Sequence, residues 1–153
     1  MATSVWSSFS EAVIAAFKAQ ADLTGVRIFD GIEIDLSYPG DAIAVGHDGN
    51  LDTDEVYPGT FKQEYKQLGA ISKFEDGTLT CFLWSSNGIA NITARRERAL
   101  ALLAGAEKAI RADVSLGGVV MYSGIESSQF IYRQTTLGAG VGLIFTITYR
   151  AKI

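Results

Sequence analysis

Val141-Gly-Leu-Ile-Phe-Thr-Ile-Thr-Tyr-Arg-Ala-Lys-Ile153 is the stretch on which the fold turns. Its apolar side chains fall at every second position: Val141, Leu143, Phe145, Ile147, Tyr149, Ala151 and Ile153. A period of two held that long sets one side of a strand against a core. The other side reads Gly142, Ile144, Thr146, Thr148, Arg150 and Lys152, partly apolar at its start and basic at its end. A strand of this kind with no helix after it is expected to offer pairing surface to something else.

Working back from that block, Thr136 to Gly140 reads as a turn, Gln129–Thr135 and Val119–Tyr122 as strands, and Ser123–Ser127 as a loop between them. Asn91 or Thr93 caps a helix running to about Ala112, with Ala99, Leu102, Leu103, Ala106 and Ile110 as its buried stripe. Before it, Glu75-Asp-Gly77 reads as the turn of a hairpin between a long strand over 61–74, bent near Gly69, and Leu79–Trp84. In that long strand Phe61 and Tyr65 alternate with Lys62, Glu64 and Lys66. Short strands are expected at Gly25–Gly31 and Asp41–Gly46, separated by a Tyr38-Pro-Gly40 turn. An N-terminal helix runs from about Ser4 or Ser8 to Ala21, with Trp6, Phe9, Val13 and Phe17 at helical spacing and Ser8-x-x-Glu11 able to act as a capping box. Helices and strands are segregated and the β-connections short. The expected fold is α+β, an antiparallel or mixed sheet with two helices packed on one face, in one domain over residues 1–153.

Composition bounds the function. A 153-residue chain can bury one core without staples. A hydrophobic share of 48% and a charged share of 20% are those of a globular protein. Net charge −4 gives no bulk signal for nucleic-acid binding. The charge is uneven, however: residues 1–55 carry two basic and ten acidic side chains (net −8), and residues 56–153 carry 11 and seven (net +4). Such halves suit head-to-tail self-association; the alternative is that the loops happen to be acidic and the second helix basic, since linear charge need not become a spatial patch. The start of the chain lacks the basic and apolar regions of a secretory signal, and no apolar run reaches the roughly 18 residues of a span. The expectation is a chain made inside the cell, with no membrane contact.

Chemistry is sparse. Cys81, the only cysteine, lies in the apolar run 79–84 and reads as a buried structural thiol. His47 is the only histidine, with no Ser or Cys set up beside it as a nucleophile. Ser85-Ser86 and Ser123-Gly124 read as turn residues. Gly138-x-Gly140-x-Gly142 lacks the following helix that a phosphate loop requires, and reads as a tight or bulged turn. The loop from His47 to Glu55 spaces oxygen donors like half an EF-hand, but has Thr53 at the glycine position and Gly59 at the bidentate acid. A solvated acidic loop is the default there. No catalytic residue, metal site or cofactor site is assigned, and the chain is not expected to be an enzyme.

The ordered set of elements resembles the tail terminator (tail completion, or minor tail) proteins of long-tailed bacteriophages. The resemblance spans the chain and rests on the N-terminal amphipathic helix leading into Gly25-Val-Arg-Ile-Phe-Asp-Gly31, and on Asp41-Ala-Ile-Ala-Val-Gly46. It continues through a helix ending Glu107-Lys-Ala-Ile-Arg-Ala-Asp113, the Leu116-Gly-Gly118 turn, and Gln134 ahead of Gly138-Ala-Gly140 and Leu143–Tyr149. No single motif among these is specific. The resemblance implies a ring of identical subunits, usually six, that caps the tail tube, halts its polymerisation and joins head-completion proteins. It places the protein in the virion at the head–tail joint, with DNA passing transiently through the lumen. Its partners would be further copies of itself, the tail tube protein and the head-completion or connector protein. Thr146, Thr148, Arg150 and Lys152, on the spare face of the last strand, are the candidate subunit interface. The alternatives are a head–tail connector or tail tube subunit of the same machine, or a small ligand-binding or enzymatic α+β domain.

Overall fold

The computed structural model describes residues 3–37, 39–67, 69, 71–87, 91–135 and 138–153. The elements are α1 (Trp6–Ala19), β1 (Arg27–Asp30), β2 (Gly40–Val45), β3 (Gly59–Tyr65), β4 (Lys73–Ser86), α2 (Ile92–Ala112), β5 (Tyr122–Thr135) and β6 (Gly138–Lys152). They form an α+β fold with one mixed six-stranded sheet in the order β1-β2-β4-β6-β5. The short β1–β2 pair is parallel and the remaining pairs are antiparallel. One flank of β4 is shared, β2 taking residues 81–86 and β3 taking 73–79.

Both helices cover the same face. Phe9, Val13 and Phe17, four residues apart on α1, are fully buried with Ala99, Leu102 and Ala106 of α2. They pack on Val141, Leu143, Phe145, Ile147 and Tyr149 of β6 and on Leu79, Cys81 and Leu83 of β4. Each large side chain removed from water here contributes about 1.5–3 kcal/mol. The alternation that marks the last strand is therefore borne out as a core face.

Three local expectations fail, each because a tertiary neighbour overrides local chemistry. Glu75-Asp76-Gly77 is no turn but the middle of β4, paired with Gln63, Lys62 and Phe61. Gly77 is needed there because a Cβ would lie 2.3 Å from the Tyr149 ring. The expected break over Ser123–Ser127 is instead part of a continuous β5, whose register shifts between Ile125 and Ser127. The long ladder offered by β6 holds this Ser/Gly-rich segment extended. Gly140 and Gly142 lie inside β6, where Cβ atoms would fall 2.0 Å from Trp84 Cζ2 and 2.7 Å from Phe82 Cε2. They clear room for two aromatic rings. Of the two starts expected for α1, near Ser4 or at Ser8, the structure has the earlier: α1 begins at Trp6, and Ser4 Oγ accepts from Trp6 N–H at 3.0 Å. The turn expected at Tyr38 includes a residue outside the described set. For α2, Asn91 is the cap, accepting from Ala94 N–H at 3.1 Å.

Candidate functional site

The face of the sheet away from the helices has two parts. Phe82, Trp84 and Ala44 form a second, small core under Phe29, Ile34, Leu36 and Leu51 from β1 and the loops beyond β1 and β2. Among the described residues, no helix lies over the rest. There Thr78 and Thr80 of β4 stand opposite Thr148 and Thr146 of β6. Thr146 Oγ1 and Ser127 Oγ share a hydrogen bond of 2.7 Å, and Thr148 Oγ1 donates to Gly124 O at 3.5 Å.

Thr146, Thr148, Arg150 and Lys152 form one row on this open face, as their even spacing predicts. They do not lie at an edge. β6 is hydrogen-bonded to β4 on one side and β5 on the other, so its backbone has no pairing capacity left over most of its length. The expectation that the last strand offers itself for pairing is corrected accordingly. Arg150 pairs with Asp76 at 3.7 Å and lies over the Phe74 ring, 4.5 Å from its centroid. Lys66 stacks on the same ring at 5.0 Å, and Lys152 is the cross-strand neighbour of Phe74. The open face is thus threonine-rich along its middle and basic at one end.

Behind that end lies a buried carboxylate with no solvent exposure, Glu75. Its Oε1 accepts from Tyr149 OH (2.6 Å), Ser4 Oγ (2.9 Å) and Val5 N–H (3.2 Å), and its Oε2 accepts from Gln63 Nε2 (2.5 Å). Burial alone would raise its pKa, but the bonds from Tyr149, Gln63, Ser4 and Val5 together outweigh it and hold the carboxyl below its ordinary value. The same burial, with the Glu75 charge beside it, pushes the Tyr149 hydroxyl well up. Glu75 fastens the start of α1 to the sheet, with its negative charge at the positive end of the helix. It is a structural clamp.

Other singled-out side chains also have structural partners. His47 is buried, its Nδ1 accepts from Gly49 N–H at 2.9 Å, and burial lowers its pKa against the opposing pull of Asp48. Cys81 is fully buried, its thiol pushed up to about 12 by burial. Ser85 is a strand residue in a network: its Oγ donates to Asp41 Oδ1 at 2.7 Å and accepts from Arg95 at 3.2 Å. Ser123, also in a strand, donates to Val114 O at 2.8 Å. In the acidic loop, Asp48 and Asn50 accept from the loop's own N–H groups, at Asn50, Tyr57 and Asp52. Among the described residues no three His, Cys, Asp or Glu side chains converge as metal ligands. A cleft of about 320 Å³ between α1 and the loops after β1 and β2 carries Glu11 and Asp30 as its ionisable lining.

The charge split partly closes within the chain. Arg98 pairs with Asp41 (2.9 Å), Lys108 with Asp22 (3.2 Å) and Arg133 with Asp52 (3.2 Å), each joining the basic half to the acidic one. Among the described residues no helix is long and apolar enough to cross a membrane.

What sequence reasoning missed is the set of edge strands, β5 at one side of the sheet and β1 with β3 at the other. β5 is hydrogen-bonded along one side only, to β6, and β3 along one side only, to β4, among the described residues. Both present exposed aromatics: Phe130 and Tyr132 on β5, Phe61 and Tyr65 on β3. The signal was present as Phe130-x-Tyr132, a period of two continuing on a strand whose outer side has no partner. No protein-family model matches the chain, and no curated protein matches it in sequence.

Proposed function

We propose that the protein is the ring-forming subunit of a phage tail terminator, which caps the tail tube, stops its growth and joins it to the head-completion complex. The observation that carries this reading is the one-sided build. Two helices cover one face of a six-stranded sheet, and the other keeps an uncovered threonine strip whose flanking charges pair as Arg150–Asp76, Lys62–Glu64 and Arg133–Asp52. A wall with helices outside and a threonine strip inside, basic at one end only, suits a conduit, because a long row of free cations would grip phosphates and slow DNA. In this reading the row Thr146, Thr148, Arg150, Lys152 faces the lumen, and the edges of the sheet meet neighbouring copies.

The second reading is a tail tube subunit, favoured by the length of the β5–β6 hairpin, whose strands run 14 and 15 residues. Analytical ultracentrifugation and negative-stain microscopy of the purified chain separate the readings. Closed rings that stay single, and that halt growth when added to polymerising tail tubes, are the expected result. Open-ended tubes grown from the chain alone would favour the second reading. A strict monomer at every concentration would overturn both.

A further inference from the structure

We infer that neighbouring copies join edge to edge, with β5 of one copy adding antiparallel to β3 of the next, so that the sheets run on round the ring. The inference rests on the ring reading and supplies its joint. Three independent observations carry it.

The first is where apolar surface remains. Among the described residues, the large exposed hydrophobics fall into two groups. Met121, Tyr122, Phe130 and Tyr132 line β5 and its approach, with Leu100 and Val114 on α2 and just after it. Tyr57, Phe61, Tyr65 and Ile71 lie on β3 or just beside it, with Ile32 after β1. β5 is one edge of the sheet, and β3 lies at the other, which it shares with β1. Exposed apolar side chains gathered at an unpaired strand edge mark a pairing site, and two different edges give a heterologous contact that closes into a ring.

The second is direction and face. β3 and β6 run one way, β4 and β5 the other, so continuing the sheet from copy to copy brings β5 and β3 together antiparallel. Phe130 and Tyr132 sit opposite Leu143 and Val141, on the helix-bearing face. Phe61 and Tyr65 are on that same face, Phe61 opposite Gly77 with its ring 6.2 Å from Trp6. Exposures of 40% and 54% on one edge and 48% and 66% on the other share that face at different levels, Phe130 beside Leu143 and Phe61 in line with Tyr149, so stacking them takes a register step of six residues along β6, from 143 to 149. Curvature round a ring needs strands to tilt and register to step, which a 14-residue β5 allows beside a seven-residue β3.

The third is charge. Tyr132 OH accepts from Arg96 at 3.3 Å, which sets a guanidinium beside the exposed end of β5. On the other edge Tyr57 OH donates to Glu55 Oε2 at 3.3 Å, with Asp54 beside it in sequence. One edge ends basic and the other begins acidic, which favours unlike edges over a β5–β5 dimer.

Two variants test this without assuming a register. Phe130→Lys/Tyr132→Lys blocks the β5 edge, and Phe61→Lys/Tyr65→Lys blocks the β3 edge. Each alone is expected to sediment as a monomer, with a far-ultraviolet circular dichroism spectrum like the parent's. Mixed in equal amounts, they should give a heterodimer and nothing larger, since only one competent joint remains. Rings from either variant alone, or no heterodimer from two folded variants, would overturn the β5–β3 joint while leaving the ring reading in place. If the parent chain is itself monomeric, both fall. Should the β3-blocked variant form a homodimer through its intact β5, the contact is symmetric and the inference is wrong.

Discussion

Alternate residues of the same two strands, β4 and β6, meet opposite fates. On the helix side, Leu79, Cys81, Phe145 and Ile147 are sealed under α1 and α2, and the one carboxylate there, Glu75, has every oxygen occupied. Across the pleat, Thr78, Thr80, Thr146 and Thr148 stand in a strip that no helix covers. The difference teaches where stability resides. One face fixes the fold, and the other divides between a small second core and a threonine strip.

The comparison breaks most severely at Phe145. Phe145→Asp puts a charge among fully buried side chains and should cost more than about 5 kcal/mol, comparable with the stability of a whole domain. No cooperative thermal transition should remain by circular dichroism.

Glu75→Ala is expected to cost about 2–4 kcal/mol in urea unfolding, because Tyr149, Gln63 and Ser4 are left without their acceptor. The sign with pH follows from a folded pKa below the ordinary 4.5. The clamp's contribution is present above about that pH and is lost as pH falls through the folded value. An alanine variant as stable as the parent would show that α1 holds without it.

His47 gives a smaller effect in a different window. Its folded pKa lies below the ordinary 6.5, so the folded state resists the proton more than the unfolded chain does. Stability should be full above about 6.5 and fall as pH drops below it. His47→Asn, which keeps an acceptor for Gly49 N–H without titrating, should flatten that part of the curve. Parallel curves for parent and variant from pH 7 to 5 would mean that His47 is not the group responsible.

The smallest effect belongs to the open face. Arg150→Glu loses an exposed pair with Asp76 and should change stability by less than about 1 kcal/mol. Under the lumen assignment it should leave ring formation intact. Loss of rings in this folded variant would instead place Thr146, Thr148, Arg150 and Lys152 between subunits.

Much of this architecture is legible in the sequence, because burial writes periodicity directly. The helix stripe Phe9, Val13, Phe17 and the alternation from Val141 to Ala151 each point at one core, and the core contains them all. Cys81 and Asn91 likewise stand as their neighbours in sequence imply. The candidate interface residues were placed on the right face of their strand, since parity alone decides that. Their position in the middle of the sheet was not legible, because strand order depends on pairings between residues dozens of positions apart.

Elsewhere local signals were overruled. Asp76-Gly77 has turn chemistry, yet the glycine serves to admit the Tyr149 ring, and Gly140 and Gly142 admit Trp84 and Phe82. By itself, then, the sequence determined the class of fold, which residues are core, and that the closing strand has one face to spare. Only the tertiary structure decided that this strand is interior, that β5, β3 and β1 are the edge strands, and that three acids of the first half are answered by bases of the second. Side-chain periodicity is a local consequence of burial, whereas edges and ion pairs exist only once distant segments lie side by side.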